Sequence, residues 1–232
     1  MSIRENLEAI RAEIDAAARE TGRTGADITL VGASKMNDAA ACQEAIAAGI
    51  DALGENRVQE MTAKLAEDAY RGAPLHFIGH LQRNKVKQVV GKAALIQSVG
   101  SKELLDEIEK TAAKMELVQD ILLEINIGGE EAKSGFAPEE AAQAAAYAAS
   151  LPHIRPRGLM TIPPVEVEKG GNIPYFEKVH RLFVDISREM YDNKWEYISM
   201  GMSGDYENAI REGATLVRIG TAIYGERDYS KK

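Results

Sequence analysis

The sequence has little that would place it outside a reducing compartment or on a membrane. Its 232 residues include one cysteine, Cys42, so no disulfide can form within the chain. No apolar stretch approaches the ~20 residues needed to cross a bilayer, and the charged first residues do not resemble a secretory signal peptide. We therefore expect a cytoplasmic protein.

Positive charge is also in deficit. The 28 lysines and arginines are outnumbered by 36 aspartates and glutamates, which gives a net charge of −8. This balance argues against general binding to nucleic acid or to an anionic membrane surface. We expect no nucleic-acid or membrane partner, and a monomer in solution.

What the chain does contain is a regular alternation of strand and helix patterns. Eight short apolar runs are separated by segments of helical periodicity. Alternation implies a parallel sheet, and eight units imply a closed (β/α)8 TIM barrel. An open doubly wound sheet is the alternative, although the chain lacks a glycine-rich dinucleotide fingerprint. The predicted strands are 28–34, 50–53, 75–78, 94–99, 121–127, 158–162, 197–200 and 215–219.

An additional helix precedes the first strand. Ser2 and Glu5 form a capping box at its start, and we expect it to fill the position between strands eight and one. No linker or change in composition divides the chain, so residues 1–232 are expected to form a single domain.

Lys35 ends the first predicted strand, at the face where such barrels bind their ligands. A partly desolvated amine there is available as a nucleophile toward an aldehyde. Most lysines at strand ends, however, are simply exposed to solvent and have no functional role. A functional role for Lys35 therefore depends on a second signal.

The second signal lies in the loops after strands seven and eight, where barrels commonly bind phosphate. Ser203 and Thr221 offer hydroxyl donors, and Gly220 allows backbone amides to approach an anion. Ser203 is also expected to open a helix whose amino terminus attracts anions. Because strands eight and one are neighbours in a closed barrel, Lys35 should lie beside this phosphate site. An aldehyde acceptor next to a phosphate site predicts pyridoxal phosphate as the cofactor.

Arg218 immediately precedes the phosphate loop on strand eight. We interpret it as the partner of the cofactor's pyridine nitrogen, which an arginine would leave largely unprotonated and so a weak electron sink. The alternative is a salt bridge to a carboxylate at the top of the barrel, such as Glu124.

Other polar residues have structural interpretations. Glu55 and Glu60 are taken as ordinary charges of a helical region, Asn37 as the cap of the second helix, and the basic run from Arg83 as a solvated helix face. The four histidines have no metal-ligand spacing, so no metal site is expected.

Several motifs in order along the whole chain resemble the pyridoxal phosphate homeostasis proteins, whose barrel is similar to the amino-terminal domain of alanine racemase. The motifs are Ala33-Ser34-Lys35, Gly54-Glu55-Asn56-Arg57-Val58-Gln59-Glu60, His76-Phe77-Ile78-Gly79-His80-Leu81-Gln82, Lys133-Ser134-Gly135, Gly158-Leu159-Met160-Thr161-Ile162, Ser199-Met200-Gly201-Met202-Ser203 and Val217-Arg218-Ile219-Gly220-Thr221.

The resemblance implies a carrier that buffers or delivers the cofactor in vitamin B6 homeostasis, with apo pyridoxal phosphate-dependent enzymes as clients and no catalytic residue. Lys35 would hold the cofactor as an internal aldimine, a Schiff base. Lys133 matches a lysine with a role in cofactor exchange. The family usually has a further basic residue and a proline after the lysine, where this chain has Asn37 and Asp38, so a cofactor relay through that position is not expected. The other residues implied to contact the cofactor are Ser203, Arg218, Gly220 and Thr221, with Asn56 and Met200 lining its ring.

Two enzyme functions remain as alternatives. A pyridoxal phosphate-dependent racemase needs a second acid or base opposite Lys35, which alanine racemases take from a tyrosine in a separate domain of the partner subunit. This chain is expected to lack that domain, and its tyrosines near the site are Tyr206 and Tyr224. A phosphate-sugar barrel enzyme would use Lys35 as a base, but beyond Glu124 and Asp205 it lacks the expected acids at strand ends.

Overall fold

A computed structural model describes residues 2–130, 134–165, 168, 170–192 and 194–225. Eight parallel strands follow one another around a closed barrel in chain order, and the last strand pairs with the first. The predicted (β/α)8 fold is confirmed. The strands are β1 (Thr29–Ala33), β2 (Ala52–Glu55), β3 (Leu75–Phe77), β4 (Leu95–Val99), β5 (Gln119–Ile125), β6 (Ile154–Thr161), β7 (Tyr197–Ser199) and β8 (Leu216–Ile219).

The helices surround the barrel, and the extra amino-terminal helix packs against α2, α7 and α8, beside the β8–β1 junction. Its capping box is present, because the Ser2 hydroxyl accepts from the Glu5 amide and the Glu5 carboxylate accepts from the Ser2 amide. No helix in the described part of the chain is long and apolar enough to cross a membrane. The helices are α1 (Ile3–Arg19), α2 (Ala39–Ala47), α3 (Val58–Ala66), α4 (Lys102–Lys114), α5 (Ala141–Ala149), α6 (Ile173–Met190), α7 (Tyr206–Arg211) and α8 (Thr221–Tyr224).

Two predicted helix caps are wrong by one or two residues. Helix α2 is capped by Asp38, whose Oδ1 accepts from the Ala41 amide at 2.9 Å, whereas Asn37 instead donates to the Lys35 carbonyl. Helix α7 begins after Asp205, and not at Ser203. The expected basic helix is a short 3₁₀ segment at Arg83–Gln88.

The barrel interior changes from apolar to polar along its axis. An inner apolar cluster is formed by side chains from six strands, Val31, Ala52, Leu95, Leu122, Met160 and Leu216. Nearer the carboxyl ends, the buried residues Gln97, Ser199, Glu124 and Arg218 replace it. A larger apolar cluster packs the outer face of the strands against the helices. The polar layer therefore lies on the ligand-binding side of a (β/α)8 barrel.

Candidate functional site

Lys35 follows the carboxyl end of β1 and is partly buried. Val31 packs in the inner apolar cluster, so the two-residue alternation of the strand places Ala33, its last residue, on the same inward-facing side, and Lys35 follows in a turn. Gly32 on β1 is paired with Ile219 on β8. The strand end that carries Lys35 is therefore adjacent to the strand end that carries Gly220, as barrel closure predicts.

The loops after β7 and β8 are joined through the Ser203 hydroxyl. Ser203 Oγ accepts from the Gly220 amide at 3.3 Å and from the Ala222 amide at 3.5 Å. Both bonds are long for N–H···O contacts, and Ser203 and Thr221 retain exposure to solvent. Ser203, Gly220 and Thr221 are thus brought together as predicted, as a small cup of hydroxyl and amide groups.

Arg218 lies inside the barrel and is only 4% exposed. Its guanidinium donates to Ser199 Oγ and, at 2.8 Å, to the Thr161 carbonyl. No carboxylate of the described residues forms an ion pair with it. Burial lowers the pKa of Arg218 to about 10, although Asp205 and Glu124 attract the charge. These contacts account for two of the five N–H groups of the guanidinium.

Glu124 therefore does not form the salt bridge considered as the alternative for Arg218. Its Oε2 accepts from the Ser134 hydroxyl at 3.0 Å, and burial raises the pKa of its carboxyl. Glu124 lines a cavity of about 540 Å³ at the barrel mouth together with Asn56 and the exposed His80. A larger cavity of about 680 Å³ lies at the opposite ends of β3 to β5, remote from Lys35.

A chain of buried side chains extends from Arg218 through the barrel. Ser199 Oγ donates to Gln97 Oε1 at 2.6 Å, and Gln97 Nε2 lies 2.9 Å from His76 Nδ1. Burial lowers the pKa of His76 to about 4, so the neutral ring accepts the Gln97 proton. Ser199 and Gln97 therefore both donate in the direction away from Arg218. The Ser199 oxygen is then free to accept from the Arg218 guanidinium.

Asn56 and Met200 occupy different environments. Asn56 follows β2, and its buried Oδ1 has no hydrogen-bond partner among the described residues. Met200 is completely buried in the outer apolar cluster, so its side chain presents no surface at the mouth. Its contact with the cofactor ring stays a prediction, as does the role of Lys133, which lies outside the described residues.

The residues at the mouth fit the chemistry of pyridoxal phosphate. A buried acceptor without a partner, at Asn56, is the kind of group that a ligand satisfies. Arg218 is a buried cation without an ion-pair partner in the described part of the chain, and Lys35 and Ser203 provide an amine and an anion-binding hydroxyl. The set therefore offers a complementary group for the aldehyde, the ring and the phosphate.

A second group of buried charges lies behind Lys35. Glu55 belongs to β2 and is fully buried, and its Oε1 is 2.7 Å from Lys64 Nζ of α3. Lys64 also pairs with Glu60 at 2.9 Å. The interpretation of Glu55 as an ordinary helix charge is therefore wrong. A carboxylate at the end of a buried strand, with an i,i+4 Glu–Lys pair just beyond it, is the signal that could have found this group.

The two tyrosines considered for acid–base chemistry are directed away from the mouth. Tyr206 packs in the outer cluster, and its hydroxyl donates to Glu13 of α1. A Cβ placed on Gly32 would lie 2.9 Å from the Tyr224 hydroxyl, which is buried without a partner in the described residues. Burial raises the pKa of both tyrosines well above the usual value.

Comparisons with known proteins agree with the motifs and the barrel. A family model described as the alanine racemase N-terminal domain matches residues 5–228. The pyridoxal phosphate homeostasis protein of Aquifex aeolicus is 43% identical over 229 residues, covering 99% of this chain and 100% of that protein. The protein of the same name from Escherichia coli strain K12 is 39% identical over 235 residues, with 99% of each chain covered.

Solved structures extend the similarity to the fold. The structure of PipY from Synechococcus elongatus with PLP bound has a TM-score of 0.84 and 29% identity, covering 97% of this chain and 100% of that one. An alanine racemase from Clostridium difficile 630 has a TM-score of 0.75 and 18% identity, covering 97% of this chain and 56% of the racemase. At that identity the racemase shares the fold only.

Proposed function

Since this chain belongs to the pyridoxal phosphate homeostasis proteins, within the alanine racemase N-terminal domain family, we propose that it binds pyridoxal phosphate reversibly on Lys35. It acts as a single-domain, monomeric carrier that buffers or delivers the cofactor to apo-enzymes inside the cell. The observation that carries the proposal is the pairing of β1 with β8, two strands that are followed by Lys35 and by the cup of Ser203, Gly220 and Thr221, respectively.

Each group has a separate task in the proposal. The cofactor supplies an aldehyde for a reversible Schiff base and a phosphate for anchoring. Lys35 supplies the amine, while Ser203 and the amide of Gly220 bind the phosphate at the end of β8. Arg218 would be the partner of the ring nitrogen and, because a guanidinium keeps its proton, would leave that nitrogen unprotonated. The structure of PipY, which shares the fold of this chain and is described with PLP bound, supports pyridoxal phosphate as the ligand.

A carrier is favoured over a racemase by the positions of the tyrosines. Racemisation needs a second acid or base on the ring face opposite Lys35. The Tyr206 hydroxyl donates to Glu13, and the Tyr224 hydroxyl is buried beside Gly32. With their pKa values raised by burial, neither would be ionised at neutral pH. We therefore propose that turnover of amino acids is negligible.

The test is covalent trapping on the purified full-length chain. Pyridoxal phosphate is added, the visible absorption spectrum is recorded, borohydride reduces the product, and peptide mass mapping locates it. We expect the label on Lys35, and complete loss of it in Lys35→Ala. Lys110→Ala, which removes an exposed lysine of α4, is the matched control and should label as the wild type does.

Two results would overturn the proposal. A wild-type chain that stays colourless and unlabelled would remove Lys35 as the binding residue and favour the phosphate-sugar enzyme. Racemisation of alanine that saturates with substrate and disappears in Lys35→Ala would replace the carrier by an enzyme.

A further inference from the structure

The two peptide groups on either side of Lys35 are both held by side chains of α3. The carbonyl of Ser34, before Lys35, accepts from Lys64 Nζ at 2.8 Å. The amide of Met36, after Lys35, donates to Glu60 Oε1. Glu60 Oε1 also accepts from Lys64 Nζ at 2.9 Å. These contacts close a ring, which we call the α3 clamp, around the backbone of Lys35.

Lys64 is held in the α3 clamp by hydrogen bonds and ion pairs that use its whole ammonium group. All three N–H groups of the Lys64 ammonium are used, by the Ser34 carbonyl, Glu55 Oε1 and Glu60 Oε1. The Lys64 side chain is 6% exposed and that of Glu55 is fully buried. Burial alone would lower the pKa of Lys64, but the two carboxylates outweigh it and raise the pKa. The ammonium therefore stays charged, and charge-assisted bonds of this kind are short and strong.

The backbone that the clamp holds is in an unfavourable conformation. Met36 has φ of 65°, in the left-handed region that side chains other than glycine rarely adopt. Such a conformation is costly for a residue other than glycine and persists only where its surroundings impose it. Glu60 supplies that constraint, because it accepts the hydrogen bond of the Met36 amide. The turn that directs Lys35 toward the barrel mouth thus depends on α3.

We propose that Glu60 and Lys64 are positioning residues, which set the Lys35 amine at the distance and angle for covalent capture of the cofactor. The inference rests on the proposed function. In the capture step the lone pair of Lys35 Nζ forms a C–N bond with the aldehyde carbon. The aldehyde oxygen leaves as water with both amine protons, and the C=N bond forms without another reactant. Glu60 and Lys64 act only through the backbone of Lys35.

The test separates binding from bond formation. Glu60→Ala removes the acceptor of the Met36 amide. We expect the visible absorbance of the Lys35 adduct to appear ~10- to 100-fold more slowly, as for a reacting group displaced by up to ~1 Å. Binding of pyridoxine 5′-phosphate, which keeps the ring and phosphate but has no aldehyde, should be unchanged. Loss of a merely structural residue would weaken both.

Two further variants control the measurement. Glu60→Gln keeps an oxygen acceptor for Met36 and should restore most of the rate. Glu177→Ala removes the acidic member of an exposed i,i+4 pair with Arg181 on α6 and should leave the rate unchanged. Circular dichroism of each variant confirms that the barrel is folded.

The outcomes are distinguishable. Capture by Glu60→Ala at the wild-type rate overturns the inference alone. It is also overturned if Glu60→Gln is as slow as Glu60→Ala, or if pyridoxine 5′-phosphate binding falls with the rate. A wild-type chain that forms no adduct overturns the proposed function and this inference together.

Discussion

Two buried cations in this barrel differ in what surrounds them. Lys64 lies behind β1 and is paired with the carboxylates of Glu55 and Glu60. Arg218 lies inside the barrel and contacts the neutral oxygens of Ser199 and Thr161. The surroundings shift the two pKa values in opposite directions, because the pKa of Lys64 is raised whereas that of Arg218 is lowered to about 10.

The comparison separates a cation that the protein's own carboxylates neutralise from one that contacts only neutral oxygens in the described part of the chain. A buried charge is costly unless it is paired. For Lys64, the carboxylates of Glu55 and Glu60 offset the cost of burial, so breaking these pairs should destabilise the native state. Arg218 has no such carboxylate among the described residues, which suits its proposed role as the partner of the cofactor ring. An unpaired buried charge near an open site is thus a stronger functional signal than a paired one.

The largest expected effect comes from Lys64→Met, which leaves Glu55 and Glu60 without their cation. We expect the free energy of unfolding to fall by about 3–5 kcal/mol, the cost of breaking a buried ion pair from one side. Urea denaturation measures it, with Glu177→Ala as a surface-pair control that changes stability by less than ~0.5 kcal/mol. A loss in Lys64→Met no larger than that of the control would contradict the structural role of Lys64.

The next largest expected effect concerns His76, the last of the hydrogen-bonded side chains that extend from Arg218 through Ser199 and Gln97. Its pKa of about 4 lies below the usual 6.5, so between these values the unfolded state binds more protons than the folded state. Stability is therefore complete above the usual value and falls as the pH decreases toward the folded value. The expected loss from this residue is about 3 kcal/mol, at 1.36 kcal/mol per pKa unit.

Urea denaturation of wild type and His76→Asn at several pH values measures this loss. Asn keeps an acceptor for Gln97 but does not titrate, so its curve should lack that slope. Parallel curves for the two proteins would show that His76 does not charge on unfolding.

The smallest expected change in stability is that of Arg218→Met. Losing two hydrogen bonds is offset by removing a buried charge without an ion-pair partner, so we expect a change of less than about 1 kcal/mol. Affinity for pyridoxine 5′-phosphate should fall about tenfold, since the partner of the ring nitrogen is lost. Calorimetric titration and urea denaturation together check this result. A loss of stability as large as that of Lys64→Met would remove the distinction between the two cations.

Much of the fold could be predicted from local sequence. The eight strands and the capping box of α1 follow from patterns within a few residues, because side-chain periodicity reports which face is buried. The residues that begin α2 and α7 could not be assigned from sequence as reliably as the strands or the start of α1. Asp38 and Asp205 each have a polar neighbour, Asn37 and Ser203, with similar capping ability, and only backbone geometry decides between them.

The candidate site was predictable to the extent that it lies at strand ends. Lys35 and Gly220 follow neighbouring strand ends because β1 and β8 are adjacent in a closed barrel, and Ser203 joins Gly220 through a hydrogen bond. The alternative interpretation of Arg218, a salt bridge to Glu124, could not be excluded from sequence, because spacing along the chain does not show which buried groups meet. The structure places Glu124 against Ser134 instead.

The sequence by itself determined the barrel and the two signals that meet at its mouth, the lysine after β1 and the glycine turn after β8. Only the tertiary structure decided which charges are paired. Lys64 reaches the Ser34 carbonyl across 30 residues of chain, and Ser199 reaches Gln97 across 102. The physical reason is that periodicity is a local property of a chain. The partner of a buried polar group is instead set by barrel closure, which brings together residues that no spacing connects.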